Sequence, residues 1–311
     1  MNNQKRSDHP HSSEYFGEER DFWWNDDFLD LIGQRVRLGE IGRIADIGCG
    51  LGHWSALIYR RLAKDAELIG IDRDRDNIAG AVDRIARLMP GGRFNFMQGD
   101  AMALPLSDNA VQAATCQTLL MHLANPAGAI AEMIRVTQPG GLILAVEPNN
   151  TFNRMGMSSL SVEAPVDDIV RGAELALRYA IGRMKKGLGC EFIGDLLPGM
   201  FEQAGLQNIE VWLSDKVVPS LPPYDEPGQQ AQLAAIERWQ AEGSGPFDWP
   251  TMADNIRAGG GDEALLRAGW DDINRDTAAM FDGIRNGCYH ATNGGLFYII
   301  AGRVPNKKSM E

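Results

Sequence analysis

The amino-acid sequence predicts an α/β fold in which helices connect the strands of a largely parallel sheet. Two observations predict it. Short apolar runs alternate with amphipathic helical patterns between residues 41 and 148, which is typical of parallel strands joined by helical crossovers. Turns that contain glycine or proline separate these segments, so that each strand and each helix has a recognisable end.

The individual elements follow from the spacing of apolar residues. From 14 to 38 these residues recur at helical spacing, and the polar stretch 1–13 before them is expected to be disordered. Pro126 suits the first turn of one predicted helix, and Gly205 suits the end of another. The expected strands are 44–47, 68–72, 94–98, 110–117, 142–147, 208–213 and 295–303, and the expected helices are 54–62, 74–88, 126–136, 167–185, 193–204, 229–241 and 262–285.

Polar side chains stand where the predicted strands end. They are Asp46, Asp72, Asp100, Gln117 and Glu147. Since the carboxyl ends of parallel strands meet at one edge, where such sheets bind their ligands, we expect these residues to line one site. A carboxylate at this edge can accept hydrogen bonds from ribose hydroxyls, but Asp is also a common helix N-cap. Asp74 can fill the capping role, which leaves Asp72 for the ribose.

A glycine-rich turn joins the first strand to the next helix. It runs Asp-Ile-Gly-Cys-Gly-Leu-Gly from Asp46 to Gly52. Glycine tolerates positive φ and lets a ligand approach the backbone, and the following helix N-terminus favours a polar or negatively charged ligand group. The strict dinucleotide pattern G-x-G-x-x-G fails, because its third glycine would fall on His53 or Ser55.

This turn, with an acid after each of the next two strands, resembles the cofactor site of class I S-adenosylmethionine-dependent methyltransferases. The resemblance is strong over residues 40–148, and its general character is that of the small-molecule enzymes related to ubiquinone and menaquinone biosynthesis. It implies a Rossmann-like, doubly wound seven-stranded sheet, mostly parallel with an antiparallel last strand, plus helical lid insertions. It also implies methyl transfer from S-adenosylmethionine to O, N or C of a small-molecule acceptor, which leaves S-adenosylhomocysteine and needs no metal.

The resemblance also implies the roles of single residues. Asp100 would accept a hydrogen bond from the adenine amino group, and Gln117 would lie beside the methionine part of the cofactor. The expected cofactor-binding residues are Tyr15, Asp46, Gly48, Cys49, Gly50, Asp72, Arg73, Asp100, Ala101, Met102 and Gln117. If the acceptor must lose a proton, the candidate catalytic residues are His122, Glu147 and Tyr179, with His290 as a further candidate. Each of these four could instead have a structural role.

Composition and charge narrow the class of protein further. The formal net charge of −12 argues against a nucleic-acid partner, because such proteins usually carry a basic surface. No apolar run is long enough to span a membrane, and the polar N-terminus lacks an apolar signal core. Four cysteines without a C-x-x-C pair and five histidines without metal-ligand spacing favour a reduced, cytoplasmic protein.

The expected domain organisation has three parts. Residues 1–40 form an N-terminal helical segment, partly disordered. Residues 41–148, 190–216 and 295–304 form the S-adenosylmethionine-binding core, and 149–189 and 217–294 form helical insertions. The insertions could cap the substrate or form a dimerisation lobe, so a homodimer is possible.

Three other functions stay open on the sequence alone. A protein or RNA methyltransferase would share the cofactor domain, although the net charge of −12 counts against RNA. A protein could keep the cofactor site for regulation or assembly without catalysis, and turnover would distinguish it from an enzyme. A nicotinamide-dependent oxidoreductase would share the sheet and Asp72, but it gives no reason for an acid at Asp100 after Gly99.

Overall fold

The computed structural model describes residues 17–292 and 295–306. The predictions for residues 1–16, including the role of Tyr15 and the expected N-terminal disorder, lie outside this range. The chain divides into two compact units. The sheet unit comprises Trp24–Asn149, Phe192–Asp215 and residues 297–306, and the helical unit comprises residues 17–23, Asn150–Glu191, 216–292 and 295–296.

The described residues form seven strands and ten α-helices. The strands are β1 (Arg43–Ile47), β2 (Glu67–Asp72), β3 (Arg93–Gln98), β4 (Val111–Gln117), β5 (Thr137–Pro148), β6 (Gln207–Leu213) and β7 (Phe297–Arg303). The helices are α1 (Asp26–Val36), α2 (His53–Tyr59), α3 (Arg75–Leu88), α4 (Pro126–Val136), α5 (Asn150–Asn153), α6 (Val166–Lys185), α7 (Ile193–Gln203), α8 (Pro227–Glu242), α9 (Trp249–Ala258) and α10 (Glu263–Arg285). Single 3-10 turns lie at Glu18–Phe22, Leu38–Glu40, Leu120–His122, Ser159–Ser161 and Gly245–Phe247.

All seven strands belong to one sheet in the order β3-β2-β1-β4-β5-β7-β6. The pairs among β1 to β5 are parallel, and β7 runs antiparallel to both β5 and β6. In β1, Ile44, Ala45 and Ile47 have no exposed surface, as expected for a parallel strand covered on both faces. The predicted Rossmann-like, doubly wound sheet with an antiparallel last strand is confirmed.

The register brings the strand ends of the site together. Asp46 pairs with Gly70 on β2 and with Thr115 on β4, and Asp72 pairs with Gln98 on β3. Because neighbouring strands lie about 4.8 Å apart, the carboxyl ends of β1 to β4 form one continuous edge of the sheet. This is the edge at which the sequence predicts the ligand.

Strand β5 begins earlier than predicted, at Thr137 instead of residue 142. The Pro-Gly-Gly turn does not leave the sheet, because Gly140 N–H donates to Val304 O at 2.8 Å and Val304 N–H donates to Gly141 O at 3.0 Å. Gly140 has φ +76°, a conformation that glycine adopts without strain. The turn residues therefore form an irregular first part of β5.

The helical unit packs its long helix α6 against α9 and α10. Leu175 of α6 forms a buried cluster with Ala253, Ile256 and Leu266. A Cβ atom on Gly182 would overlap the Asn255 carbonyl, so these two helix backbones touch. Helix α9 was not predicted, because its proline-containing start hides the helical pattern and only three of its residues are buried. None of the described helices is both long and apolar enough to span a membrane.

Candidate cofactor site

The glycine-rich turn after β1 adopts a conformation that requires glycine. Gly48, Gly50 and Gly52 have φ of +68°, +51° and +78°, the left-handed region in which side chains are strained. The Gly48 N–H donates to Ile71 O at 2.7 Å, and a Cβ on Gly48 would lie 2.7 Å from Leu119 Cδ1. A Cβ on Gly50 would meet no described atom within 4 Å. The backbone of Gly50 is therefore open to a ligand.

Asp72, at the end of β2, forms hydrogen bonds both to this glycine-rich turn and to the start of α3. Its Oδ2 accepts from Gly50 N–H at 2.9 Å, and its Oδ1 accepts from Asp74 N–H at 2.9 Å and from Asn77 Nδ2 at 3.3 Å. A carboxylate has about four acceptor positions, so one remains, on Oδ2. Asp74 caps α3 by accepting from Asp76 N–H at 2.8 Å, which confirms the predicted capping role.

Asp46, at the end of β1, is a buried carboxyl group that is only half satisfied. It has no exposed surface, and its Oδ2 accepts from Ser55 Oγ at 2.5 Å. Its Oδ1 is buried and has no hydrogen-bond partner among the described residues. Burial raises the pKa of Asp46 to about 7, opposed by the Ser55 hydrogen bond and reinforced by the charge of Asp72.

Gln117, at the end of β4, supplies the complementary donor. The residue is 9% exposed, and its buried Nε2 also finds no partner within the part of the chain that the structure describes. Strands β1 and β4 are neighbours, and Asp46 pairs with Thr115, two positions before Gln117. An unsatisfied acceptor and an unsatisfied donor thus lie on adjacent strand ends. Together they suit a ligand that carries both a cationic donor and an anionic acceptor.

A tight turn follows β3 at Asp100. The Asp100 Oδ1 accepts from Met102 N–H at 2.9 Å. Its Oδ2 and the backbone N–H of Ala101 make no hydrogen bond to any described residue. The Met102 side chain rests over Gly128 at the start of α4, since a Cβ on Gly128 would overlap its terminal methyl group. This turn therefore offers one acceptor, one donor and an apolar side chain.

Two further predicted cofactor residues lie at the same edge. Cys49 is buried with its Sγ directed at Gly70 of β2, and burial, with a smaller effect from the Asp46 charge, raises the pKa of its thiol. Arg73 is exposed, and its carbonyl accepts from Gln98 Nε2 at 2.9 Å. Within the described residues, no group of three His, Cys, Asp or Glu side chains could hold a metal ion.

Glu147, a predicted catalytic candidate at the end of β5, has both carboxylate oxygens bound by backbone groups. Its Oε1 accepts from Leu119 N–H at 2.8 Å and Leu120 N–H at 2.7 Å, and its Oε2 accepts from Met121 N–H at 3.3 Å. It has no exposed surface. Burial raises the pKa of Glu147 to about 7, and these three hydrogen bonds oppose that shift. The carboxylate fixes the Leu120–His122 turn, which also carries the candidate His122.

The other two candidates belong to the helical unit. Tyr179 lies under two guanidinium groups, with Arg154 4.5 Å and Arg183 5.9 Å from its ring centroid. Both arginines pair with the buried Glu191, at 2.7 Å and 2.9 Å. His290 is exposed, and its backbone N–H donates to Ser159 Oγ. Both residues therefore belong to a different unit from the strand-end acids.

Sequence reasoning missed the two side chains that hold the acids. Ser55 binds Asp46, and Asn77 binds Asp72. Each is the third residue of the helix that follows its strand, α2 and α3 respectively. A polar residue at this helix position points back toward the strand end. That shared position is the signal that could have identified both.

Comparisons with known proteins match this part of the chain to methyltransferases. Residues 44–141 match the family model of a methyltransferase domain. A demethylmenaquinone methyltransferase of Lactiplantibacillus plantarum is 27% identical over 36% of this chain and 48% of its own. A ubiquinone/menaquinone biosynthesis C-methyltransferase of Dinoroseobacter shibae is 25% identical over 60% of this chain and 75% of its own. A crystal structure from Bacillus halodurans, described as a methyltransferase, is 17% identical, has a TM-score of 0.51 and covers 90% of this chain and 100% of that one.

The sheet and its strand-end residues define an α/β protein with a polar site at the carboxyl edge. The resemblance to class I S-adenosylmethionine-dependent methyltransferases is confirmed by the methyltransferase-domain match over residues 44–141 and by the named relatives. The structural likeness, at 17% identity, shows the fold alone. The chain spans about half the length of the Lactiplantibacillus plantarum relative, 48%.

Proposed function

We propose that this protein is an S-adenosylmethionine-dependent methyltransferase that acts on a small-molecule acceptor. The observation that supports this most is the pair of buried atoms, Asp46 Oδ1 and Gln117 Nε2, without partners among the described residues. Each unsatisfied buried group costs about 1–3 kcal/mol. A ligand that satisfies both atoms gains that energy on binding. The methyltransferase-domain match makes S-adenosylmethionine the first candidate for this ligand.

The two buried atoms suit the methionine part of S-adenosylmethionine, which carries an ammonium group and a carboxylate. Asp46 Oδ1 would accept from the ammonium, and Gln117 Nε2 would donate to the carboxylate. The open space at Gly50 lets the cofactor approach the backbone. An ammonium beside Asp46 favours the ionised carboxylate, so binding would lower the pKa of Asp46 from about 7.

The turns after β2 and β3 suit the nucleoside. The remaining acceptor position on Asp72 Oδ2 would bind a ribose hydroxyl. Asp100 Oδ2 would accept from the adenine amino group, and the Ala101 N–H would donate to a ring nitrogen. We assign that donation to Ala101 because the Met102 N–H is already bound to Asp100 Oδ1. The Met102 side chain would cover one face of the ring.

When bound, S-adenosylmethionine supplies a methyl group that is already activated by a positively charged sulfur. The chain must align an acceptor with that methyl group and keep water out, and such positioning supplies a large part of the rate enhancement. We infer that Glu147 holds the Leu119–Met121 turn and takes no proton, because its carboxylate already accepts three N–H bonds. His122 and Tyr179 stay candidates for a general base, a role worth roughly 10² to 10⁴-fold.

The relatives indicate where to look for the acceptor. Their names refer to C-methylation in the biosynthesis of ubiquinone and menaquinone and to demethylmenaquinone. We therefore place electron-rich aromatic rings first in a panel of O, N and C nucleophiles. A cytoplasmic location, a homodimer, methyl transfer without a metal and the lack of a nucleic-acid partner stay predictions. The net charge of −12 supports the last of these.

The test combines binding and turnover on the full chain. Calorimetry should detect S-adenosylmethionine and S-adenosylhomocysteine but not NADH, and mass spectrometry should detect S-adenosylhomocysteine released with one acceptor of the panel. Asp46→Asn should weaken the binding, whereas Asp83→Asn, an exposed acid on α3, should leave it unchanged. Binding of NADH alone would favour an oxidoreductase. Cofactor binding without release on any acceptor would favour a non-catalytic binding protein.

A further inference from the structure

Helix α6 of the helical unit exposes a continuous line of large apolar side chains. We call it the α6 stripe; its members are Val166, Val170, Leu177, Ile181 and Met184. They are between 39% and 72% exposed. Their spacing of four, seven, four and three residues places them on one side of the helix. A stripe of this kind on a surface helix normally packs against another element.

The rest of α6 shows that the stripe is not needed for the core of its own unit. Leu175, on the opposite side of the helix, fills the buried cluster with Ile256 and Leu266. Large exposed apolar residues in the sheet unit, such as Val82 and Leu88 on α3, form no comparable line along a helix. Isolated residues of that kind are normal on protein surfaces, but a continuous line marks a binding surface.

The dimensions of the stripe indicate what covers it. From Val166 to Met184 the helix rises about 27 Å, at 1.5 Å for each residue. A small-molecule acceptor is shorter than this, and the surface of a single helix is convex and forms no pocket. We propose that the α6 stripe binds the α6 stripe of a second copy of this chain, with the two helices antiparallel around a twofold axis.

Charges along one border of the stripe support this orientation. Asp167 and Lys185 lie on that border near the two ends of α6. Glu174 and Arg178 lie on the same border between them and pair with each other at 2.6 Å. The spacing of these four residues, seven, four and seven, keeps them on one side of the helix. Antiparallel pairing around a twofold axis brings the acidic end of this border on each helix beside the basic end of the same border on the other. Parallel pairing would place this border beside the opposite border of the other helix, so these charges would not meet.

The first test is the mass of the full chain in solution. Sedimentation equilibrium should give a dimer of twice 34.1 kDa. The double substitution Val170→Glu and Leu177→Glu should raise the dimer dissociation constant at least about 100-fold, because it places charges in an apolar contact. The matched control, Val82→Glu with Leu88→Glu, alters two exposed residues of α3. It should leave the dimer intact, and circular dichroism should show both proteins folded.

The second test reverses charges. Asp167→Lys alone and Lys185→Glu alone should each weaken the dimer about 10-fold, since each change acts twice in a symmetric pair. The double reversal should restore the dissociation constant to within about threefold of the original.

Several results would overturn the proposal. A monomeric full chain would do so, as would a dimer that survives the two glutamates. A double reversal as weak as its single parents would contradict the antiparallel arrangement. A monomer that co-sediments with phosphatidylcholine–phosphatidylglycerol vesicles through the same two residues would assign the stripe to a lipid surface instead. Cofactor binding is measured separately, so this proposal and the methyltransferase proposal fail independently.

Discussion

Two carboxyl groups of the sheet unit share the same burial and differ in their partners. Asp46 ends β1 and Glu147 lies near the end of β5, and neither has any exposed surface. Burial raises the pKa of each to about 7. Glu147 accepts three backbone N–H bonds, whereas Asp46 accepts one hydroxyl bond and leaves Oδ1 without a described partner. Both oxygens of Glu147 have partners within the protein, whereas Oδ1 of Asp46 has none among the described residues.

On the proposed function, this difference separates a structural acid, Glu147, from a binding acid, Asp46. Burial and a raised pKa are often taken as signs of a functional site, yet both groups have them. The number of hydrogen bonds already made is the property that distinguishes the two. A saturated carboxylate stabilises the fold, and an unsatisfied one destabilises the empty protein and is stabilised when a ligand binds.

The largest effect is expected from Glu147→Ala. The substitution leaves three backbone N–H groups of the Leu119–Met121 turn without an acceptor. We expect the free energy of unfolding to fall by about 4 kcal/mol, since each such group costs about 1–3 kcal/mol. Chemical denaturation measures this, with Glu202→Ala, an exposed residue of α7, as the control. An equally small change in both variants would contradict the structural role.

Asp46→Asn should give the opposite result. Cofactor affinity should fall about 100-fold, because a neutral amide replaces the carboxylate that is proposed to pair with the ammonium group. The stability of the empty protein should stay the same or rise, since a buried charge is removed. Calorimetry with S-adenosylmethionine and a thermal melt together check the prediction. Unchanged affinity would remove Asp46 from the site.

The strand ends could be predicted well from the sequence, because the features that mark them lie close together in the chain. Apolar runs, glycine turns and the acids after them are close in the chain, and parallel strands must bring their carboxyl ends to one edge. The α2 to α4 segments were found for the same reason, with α4 correct at both ends. Asp74 as a helix cap also follows from nearest neighbours.

The hydrogen-bond partners of the acids could not be predicted in this way. Glu147 and the turn it holds are 26–28 residues apart, so their contact depends on the register of β4 and β5. From the sequence alone Glu147 is therefore as good a catalytic candidate as any acid at this edge. Helix α9 was missed because it is only ten residues long and has proline in its first turn, although Ala253 and Ile256 belong to the buried cluster with Leu175.

The pH dependence of stability should test whether both Asp46 and Glu147 are protonated in the empty protein near neutral pH. Because the folded-state pKa values of Asp46 and Glu147 are about 7 and their ordinary values are 3.8 and 4.5, the folded protein holds more protons than the unfolded chain between these values. The stability of the empty protein should therefore be greatest at low pH within this range and fall as pH rises through about 7. Thermal melts without ligand measure this.

Cofactor affinity should rise with pH over the range in which the stability of the empty protein falls. In the proposed site the ammonium group needs ionised Asp46, so affinity should fall up to about tenfold for each pH unit below the pKa of about 7. Calorimetry on both sides of neutrality checks it. The slope should persist in a Glu147→Gln protein that remains folded and vanish in Asp46→Asn. A slope that survives in Asp46→Asn would assign the titration to another group.

The smallest effect is expected from Ser55→Ala. Ser55 donates to Asp46 Oδ2, and this hydrogen bond opposes the upward shift of the Asp46 pKa. Removing it should raise the pKa further, so the fall in cofactor affinity should begin at a higher pH. Affinity near neutrality should drop about fivefold and recover toward the original value in alkaline solution, a displacement that a merely structural defect would not produce. Asn77→Ala, at the matching position of α3 beside Asp72, should weaken binding without displacing the pH profile.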